Sequence, residues 1–587
     1  MSLSRKRWIE TAALVALLYA SCFVARDAFS QDSQSKGTDR ISGVVVNGAT
    51  HDPIARALVT SLDGRFATMT NNDGRFEFTL PQAPPAQDAT TGLIGAGSPR
   101  IADGNRGPYA LVARKPGFLD DPNNPMQFVQ RLPAGKDVTI SLVPEALIVG
   151  HIALPTSEAP DAIEIELYRR EMRSGRAHWV SEATQTTRAN GGFRFSGLAA
   201  GTYKLLTHEL MDQDPQSAAP GGQVYGYAPV YFPSAGDFAS AATIQLAPGK
   251  TVDVNLSLVK QDYFPVRVPV LNAPPGSPLQ IKVAVQGHDG PGFALGYDPR
   301  EQVVEGLLPN GSYRLDAVGY GRNVVSGSTN IAVRGPLEGA SLTVVPGSPI
   351  SVHVKEEFTA REDANAASAP DAGHNPNSRR PGRDVVVILE PTDDFGLQHG
   401  ASSRPSGAQD ASLLVENATP GRYWVRIQAG LGYASSVTSG GVDLERQPLL
   451  VPSAGAVPSI EVTLRDDGAQ LEGTVEGATP SAGAFDPAAT ETSGQNAPPA
   501  VSPVVYCIPM PGSPGRFTEA YVSPDGKFTV PSVPPGEYRL LAFVRPQRDL
   551  AYENSEAMRA FDGKGTVIHL SGGQKEHVQL QLISSKE

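Results

Sequence analysis

The chain has 587 residues, of which Gly (60) and Pro (51) make up about a fifth, and its formal net charge is −12. This Gly and Pro content exceeds the ~12% of average proteins, which predicts many turns, but stays below the ~25–30% typical of disordered chains. The negative charge excludes a protein that binds nucleic acid or an anionic membrane by bulk charge. Two cysteines exclude a disulfide framework and a Cys-ligated zinc site.

The first 30 residues have the pattern of a signal peptide. Three basic residues at positions 5–7 precede an apolar run that ends at Ala25, and small residues lie just before Gln31. Two alternatives stay open: the run remains as a short membrane anchor, or Cys22 is lipidated. Each alternative exports the remainder of the chain. We therefore expect a secreted, periplasmic or cell-surface protein that contacts a membrane only through an uncleaved or lipidated N-terminus.

One pattern recurs five times along the rest of the chain. A short apolar strand and a Pro/Gly turn are followed by Gly-x-Tyr, which opens another strand. The tyrosines are separated by 94, 110, 110 and 115 residues: Tyr109, Tyr203, Tyr313, Tyr423 and Tyr538. In copies two to five an apolar residue lies ten positions before the Tyr: Phe193, Val303, Leu413 and Phe528. A period near 110 residues suits a complete small β-sandwich better than a solenoid repeat of ~20–50 residues.

Alternating apolar and polar residues predict strands with one buried face. Residues 163–168 and 460–464 are examples, and no convincing amphipathic helix follows the signal. The predicted fold class is all-β: a tandem array of about five immunoglobulin/transthyretin-like β-sandwich domains after the signal peptide. The Gly-x-Tyr step predicts a ring in each core whose hydroxyl reaches a backbone carbonyl, as in the tyrosine corner of other sandwiches.

The period also predicts domain boundaries. After the signal (1–30) and a linker (31–40), modules one to five are expected at residues 41–144, 145–260, 261–347, 348–465 and 466–587. Three stretches of low apolar content, residues 82–107, 359–383 and 478–503, are expected as disordered insertions inside modules one, four and five. The junctions between modules are short, which favours a semi-rigid rod over loosely linked beads.

Module one resembles the carboxypeptidase regulatory-like domain, a transthyretin-like (prealbumin-like) β-sandwich of secreted bacterial repeat proteins. The matching segments follow one another in order: 43–46, 52–59, 68–70, 73–78, 109–113 and 115–118. The weaker modules are equally similar to fibronectin-like or Cna-B-like sandwiches. The resemblance implies a non-catalytic domain. In metallocarboxypeptidases this fold accompanies a separate zinc domain, for which the five periods leave no room.

The residues that could carry chemistry are few. His353 and Glu356 have the His-x-x-Glu spacing of a zinc site, but on a predicted strand residues three apart point to opposite faces. Cys507 lies in an apolar strand without a nearby base, which predicts a buried structural residue. Residues 71–74 (Asn-Asn-Asp-Gly) predict a turn rather than a calcium site. We therefore expect no catalysis, no metal and no cofactor.

The best candidate for a binding site is an aromatic cluster in module two: Tyr225, Tyr227, Tyr231 and Phe232. Three of these rings share parity, so one strand face could display them to a ligand, although sandwich cores use such rows too. The predicted function is a non-catalytic interaction or structural scaffold that binds an envelope protein. The alternative is a carbohydrate-binding protein that holds an extracellular glycan on these rings. An accessory part of a peptidase system is the least favoured interpretation.

Overall fold

The structure is a computed structural model. It describes residues 40–583 except 63, 80–108, 122–126, 130–136, 156–159, 161, 212–222, 286, 321–323, 360–384, 396–400, 406–412, 478–502, 514 and 524. The predicted signal and most of the three predicted insertions lie outside the described residues. No helix among the described residues is long and apolar enough to cross a membrane. The module names are kept below for the stretches of chain defined above.

The chain divides into two compact units. The first consists of Met1–Val46, Pro53–Ala113 and Met126–Ile140, and the second of Asn47–Asp52, Arg114–Pro125 and Ser141–Glu587. Module one contributes β1 (Arg40–Asn47), β2 (Leu58–Ser61), β3 (Ala67–Met69), β4 (Arg75–Thr79), β5 (Tyr109–Arg114), β6 (Phe118–Asp120), β7 (Gln127–Val129) and β8 (Asp137–Pro144). In the first unit β1 pairs antiparallel with β4, and a second sheet has the order β3-β2-β5-β7.

The strands of modules two and three follow in the second unit. Module two contains β9 (Ala146–Ala153), β10 (Glu164–Arg173), β11 (Arg176–Thr186), β12 (Gly192–Leu198), β13 (Gly201–Thr207), β14 (Leu210–Met211), β15 (Val224–Tyr227), β16 (Ile244–Leu246) and β17 (Thr251–Ser257). Module three contains β18 (Lys260–Leu271), β19 (Leu279–Val285), β20 (His288–Phe293), β21 (Gly296–Asp298), β22 (Val303–Pro309), β23 (Gly311–Gly319), β24 (Val325–Val333), β25 (Leu342–Thr343) and β26 (Val345–Pro346).

Modules four and five complete the second unit. Module four contains β27 (Ser348–Glu357), β28 (Val385–Pro391), β29 (Ala401–Pro405), β30 (Leu413–Ala418), β31 (Gly421–Ala429), β32 (Tyr433–Ser439), β33 (Val442–Asp443), β34 (Leu449–Val451) and β35 (Ile460–Arg465). Module five contains β36 (Ala469–Glu476), β37 (Val504–Pro509), β38 (Thr518–Tyr521), β39 (Lys527–Val533), β40 (Gly536–Phe543), the short helix α1 (Ser555–Met558), a 3-10 turn (Arg559–Phe561), β41 (Thr566–Leu570) and β42 (Lys575–Ile583).

Modules two to five share one topology. The first strand of each lies between an antiparallel neighbour and a parallel strand from the end of the same module: β12-β9-β17, β22-β18-β25, β30-β27-β35 and β39-β36-β42. A second sheet carries the Gly-x-Tyr strand beside the second long strand, as in β10-β13 and β37-β40. Each module also has its own cluster of buried apolar residues. The predicted all-β class with tandem β-sandwiches is confirmed.

The repeated tyrosines close each sandwich as expected. Four are buried, and each hydroxyl donates a hydrogen bond to the carbonyl four residues earlier: Tyr203 to Ala199 (2.7 Å), Tyr313 to Pro309 (3.0 Å), Tyr423 to Thr419 (2.8 Å) and Tyr538 to Pro534 (2.7 Å). The preceding glycine leaves room for the ring, since a Cβ on Gly311 would lie 2.7 Å from the Tyr313 hydroxyl. The side chain of Tyr109 is outside the described residues.

Removing one of these hydroxyls should destabilise its module. The Tyr538 hydroxyl also accepts the Arg516 N–H at 3.2 Å, whereas only the Ala199 bond is described for Tyr203. We expect Tyr538→Phe to cost about 2–3 kcal/mol and Tyr203→Phe about 1 kcal/mol, because each lost bond is worth about 1 kcal/mol and a stranded donor adds to it. Hydrogen exchange of each full-length variant measures the loss of stability in the module that carries the substitution. Equal costs would contradict this assignment.

A glycine on the first strand faces a phenylalanine in three modules. The register pairs Gly43 with Phe76, Gly150 with Phe193 and Gly473 with Phe528. A Cβ on any of the three glycines would lie within 3 Å of the partner's ring. Module four has a different pair at the corresponding position, where Val352 pairs with Leu413. The smaller leucine leaves room for the valine, so the pair fills a similar volume across the sheet.

Candidate functional site: the surfaces that join module two to its neighbours

The predicted aromatic cluster does not form an exposed row. Tyr225 is 37% exposed, but Tyr227 is 0% and Tyr231 2% exposed, and Phe232 packs against the core of module two. Parity along one strand does not extend to Tyr231, because β15 ends at Tyr227 and Tyr231 pairs in isolated bridges with Leu206 and Ala235. The two buried rings also lie in different places, Tyr227 in the sandwich core and Tyr231 in a separate cluster. The four side chains therefore present no shared face to a glycan.

This placement predicts opposite outcomes for two neighbouring tyrosines. Tyr227→Ala should destabilise module two by about 3–5 kcal/mol, because a fully buried aromatic ring leaves a cavity. Tyr225→Ala should cost less than about 1 kcal/mol, because its ring lies at the surface against the Lys260 ammonium, 5.5 Å from the ring centroid. Thermal unfolding and hydrogen exchange of the two variants check this. A stable Tyr227→Ala variant that has lost only glycan binding would restore the carbohydrate interpretation.

A second apolar cluster lies on the outer face of module two. Tyr168 and Leu206 alternate with Leu167 and Leu205 of the sandwich core, so they point away from it. The outer cluster, as we call it, comprises Tyr168, Leu206, Tyr231, Phe238 and Ala241, with Trp179, Ala235 and Phe395 packed against it. Phe238 is at its centre, with ring centroids at 5.1 Å (Tyr168), 5.7 Å (Trp179), 6.4 Å (Tyr231) and 5.0 Å (Phe395).

Lys204 fixes the segment that carries Phe238. This buried lysine donates to the Phe238 and Ala239 carbonyls at 2.7 and 3.1 Å. Its ammonium lies 4.8 Å from the Phe238 ring centroid and 5.2 Å from that of Trp179. Burial lowers the pKa of Lys204. The carbonyls and aromatic faces compensate the buried charge, so the lysine serves structure here.

The outer cluster joins module two to module four. Phe395 is a residue of module four, and its ring meets Tyr168 at 6.0 Å and Phe238 at 5.0 Å. The edge strand β11 continues the contact, because the Trp179 N–H donates to the Asp394 carbonyl at 2.8 Å. The two modules are separated in sequence by the whole of module three. Junction length alone therefore does not determine how these modules are arranged, and the expectation of a rod is not supported.

The tip of the β10–β11 hairpin contacts modules four and five together. The Arg176 guanidinium lies 3.8 Å from the Trp424 ring centroid and forms an ion pair with Glu553 at 3.2 Å. Arg426 donates to the Ser174 carbonyl at 3.2 Å, so module four also holds the turn itself. A Cβ on Gly175 would lie 2.7 Å from the Tyr552 ring. The close approach of module five therefore requires glycine at this position.

Modules four and five share further polar contacts. Arg516 of module five donates to the Ile427 carbonyl at 3.1 Å and pairs with Glu445 at 3.4 Å. Burial raises the pKa of Glu445, which the nearby guanidinium partly offsets. In the short junction, Asp467 accepts from the Tyr433 hydroxyl at 2.9 Å. These bonds restrict rotation between the two modules.

The sequence singled out other residues that the structure keeps apart or buries. His353 is exposed and Glu356 half-buried on β27, on opposite faces as predicted. Cys507 is fully buried, and burial raises the pKa of its thiol to about 12. The Asn71 side chain caps the predicted turn by accepting from the Asp73 and Arg75 N–H groups at 3.0 and 2.8 Å. Within the described residues no group of three or more His, Cys, Asp or Glu side chains could hold a metal ion.

No protein-family model matches the chain, and no curated protein matches it. Solved structures similar to parts of it include the minor pilin GBS52 of Streptococcus agalactiae, with 15% identity over 37% of this chain and 94% of that one and a TM-score of 0.18. A streptococcal ancillary pilin has 11% identity over 55% and 99%, with a TM-score of 0.18. The pilus protein RrgB of Streptococcus pneumoniae has 8% identity over 68% and 90%, with a TM-score of 0.13. These values are too low to support an inference about function.

Proposed function

We propose that the chain is a non-catalytic, exported scaffold of the cell envelope or exterior, and that its modules are the domains bounded as given above. The observation that carries the proposal is the β10–β11 hairpin, which contacts modules four and five at once. Contacts between non-neighbouring modules fix several sandwich surfaces relative to one another. A fixed set of surfaces is what a scaffold needs to position a protein partner.

Within the described part of the chain, a histidine and a serine that share one carboxyl group are engaged in structural contacts, which favours this proposal over an enzyme. His208 pairs with Glu166 at 2.9 Å, and Ser181 donates to the same carboxyl group at 2.5 Å. In this arrangement the serine contacts the acid rather than the histidine, so the histidine is not placed to activate its hydroxyl. The resemblance of module one to regulatory-like sandwiches is consistent with the same role. The carbohydrate alternative loses its main support, because Tyr227 and Tyr231 are buried and only Tyr225 of the predicted row is exposed.

A cross-linking experiment in intact cells tests the scaffold proposal. The tagged full chain, made in its own cells, is labelled with a membrane-impermeant biotin reagent and then cross-linked and purified under denaturing conditions. We expect the chain to be labelled and to carry a defined envelope protein in roughly stoichiometric amount. A control with Glu338→Gln, an exposed residue of module three, should behave like the wild type.

Two results would overturn the proposal. One is a chain that stays inaccessible to the external reagent, which would remove the predicted location. The other is one equivalent of bound zinc together with peptidase activity that is lost in His353→Ala or Glu356→Ala. That outcome would require chemistry at residues that the structure places on opposite faces of one strand.

A further inference from the structure

Modules two and three are joined by contacts of two kinds. The first is main-chain pairing: β18 pairs with β15 through Lys260–Tyr263 and with β22 further along, so one strand runs through both modules. The second involves side chains and lies along β20. Glu209 accepts the Ala294 N–H at 3.0 Å, the Tyr231 hydroxyl donates to the Pro291 carbonyl, and Asp237 faces His288 at 3.6 Å. The β20 contact, as we call it, also brings Gly290 close to Phe238 and Gly292 close to Pro229. Two of its polar contacts involve ionisable groups, which the main-chain pairing does not.

Glu209 is the most constrained of these groups. One carboxyl oxygen accepts the Ala294 N–H, and the Tyr263 hydroxyl lies beside the buried carboxyl group. The phenols of Tyr263, Tyr231 and Tyr313 interact with it electrostatically, as does the imidazole of its neighbour His208. Burial raises the pKa of Glu209 to about 7. The ionised form is therefore disfavoured while the contact is closed.

One histidine acts in the same direction. The hydrogen bond with Glu166 raises the pKa of His208, and Glu164 and Glu209 add to the effect. Its contribution to stability is complete below the ordinary value of 6.5 and is lost as the pH rises through its raised pKa. The His208–Glu166 pair, which lies within module two beside Glu209, is therefore strongest in mild acid.

The carboxyl groups define the pH window. For Glu209, with a raised pKa, the closed contact is fully stable below the ordinary 4.5 and weakens progressively as the pH rises toward and above about 7. Glu166 and Asp237 behave in the opposite way. Despite burial, hydrogen bonds from His208 and Ser181 lower the pKa of Glu166, and those from Ser240 lower the pKa of Asp237. Their contributions are lost only in stronger acid, so the contact is tightest in mild acid near pH 4.5 and weakens above it.

We propose that the β20 contact is a pH-dependent latch: in mild acid it fixes module three against module two, and above neutral pH it releases module three to move about the shared strand β18. The geometry supports this division of roles. The three side-chain contacts all fall within residues 288–294, so they can open together without breaking the β15–β18 pairing. Because the contact lies within the chain, the latch does not depend on the identity of any partner.

Hydrogen exchange of the full chain at pH 5.5 and pH 8 tests the latch, with rates corrected for intrinsic exchange. In the wild type, protection of residues 288–294 should fall about tenfold between the two pH values. The pKa of Glu209 is near 7 in the closed contact and 4.5 when the contact is open, and this difference is large enough for a change of that size. Peptides from β36 and β42 in module five serve as the internal reference. Glu209→Gln should remove most of the pH dependence, whereas Glu338→Gln, an exposed residue of module three, should leave it unchanged.

Two outcomes would overturn the proposal. One is protection of residues 288–294 that is flat or rises with pH in the wild type, a result that needs no variant. The other is the same pH dependence in Glu209→Gln as in the wild type. Should Glu209→Gln destabilise the fold, exchange of the wild type at intermediate pH values provides a second measurement. Protection should fall mainly below about pH 7 and level off above it, and a fall confined to higher pH would contradict the latch.

Discussion

Replacing Gly150 by Ala will destabilise module two by about 3 kcal/mol or more, because overpacking of a dense core costs about 1–3 kcal/mol and displacement of a backbone adds to that. The new Cβ would lie 1.9 Å from the Val254 carbonyl oxygen and 2.4 Å from the Phe193 ring, both of which are buried inside the sandwich. The ring could turn only into neighbouring core side chains, and the carbonyl belongs to the paired strand β17. Hydrogen exchange of β9 and β12 amides measures the loss module by module.

The matched control is Gly236→Ala. Gly236 belongs to the same module, and apart from its chain neighbours no heavy atom would lie within 4 Å of a Cβ at this position. A double variant that adds Phe193→Leu to Gly150→Ala should recover part of the loss, because module four pairs Val352 with Leu413 at the corresponding position. The recovery should be incomplete, since the Val254 carbonyl still blocks the Cβ. If Gly150→Ala is as stable as Gly236→Ala, the glycine–phenylalanine pairing does not determine the packing.

Phe238→Ala should cost about 3–5 kcal/mol and loosen modules two and four together, because truncation leaves a cavity at the centre of the outer cluster. Its ring contacts those of Tyr168, Trp179, Tyr231 and Phe395. Trp179 should then become accessible to water, which shifts its fluorescence to the red. Proteolysis of the segment around residues 228–243 should accelerate, because Lys204 would lose one of its two aromatic faces.

Phe395→Ala separates the role of the outer cluster in joining the two modules from its role in stabilising module two. It removes only the module-four side, so it should weaken the contact between the modules with a smaller loss of module-two stability. A Trp424→Phe background restricts the fluorescence signal to Trp179, since the only other tryptophan, Trp8, lies in the predicted signal. Should Phe238→Ala leave the fluorescence and the protease sensitivity unchanged, the outer cluster would not be what joins these modules.

The repeated features were predictable because they recur. Gly-x-Tyr marked every sandwich, and the four described tyrosines all make the predicted bond to a carbonyl. Alternation along a strand predicted which residues face the core, as on β27, where His353 is exposed and Glu356 lies half-buried on the opposite face. Where a single strand determines a residue's environment, the period of two in the sequence contains enough information.

The second buried face was missed, although the sequence contains a signal for it. Leu205 and Leu206 are adjacent, and residues 504–508 form a continuous apolar run that is buried throughout. Neighbouring apolar residues on a strand indicate that both faces are covered. In module five the outer face is covered by residues that include Leu550 and Met558 near α1. Tyr231 was misplaced because parity has no meaning once the strand has ended.

The contacts between modules had no such signal. Arg176 lies at a hairpin tip and Trp179 on an edge strand, where a charged or aromatic residue fits many environments. Arg176 and its partner Glu553 are 377 residues apart in the chain, and a single sequence does not connect such positions. The same holds for Glu209, whose burial results from the approach of β20 rather than from its own strand.

Module two is held against modules four and five by contacts between modules that are not neighbours in sequence, and one distance measurement tests this arrangement most directly. Spin labels are attached at Glu182→Cys in module two and Glu556→Cys in module five, both exposed positions, in a Cys22→Ala chain. Cys507 is fully buried and should not react. We predict a single narrow distance distribution at the separation seen in the structure. A broad distribution that extends well beyond that separation, as for modules tethered only by their junctions, would contradict it.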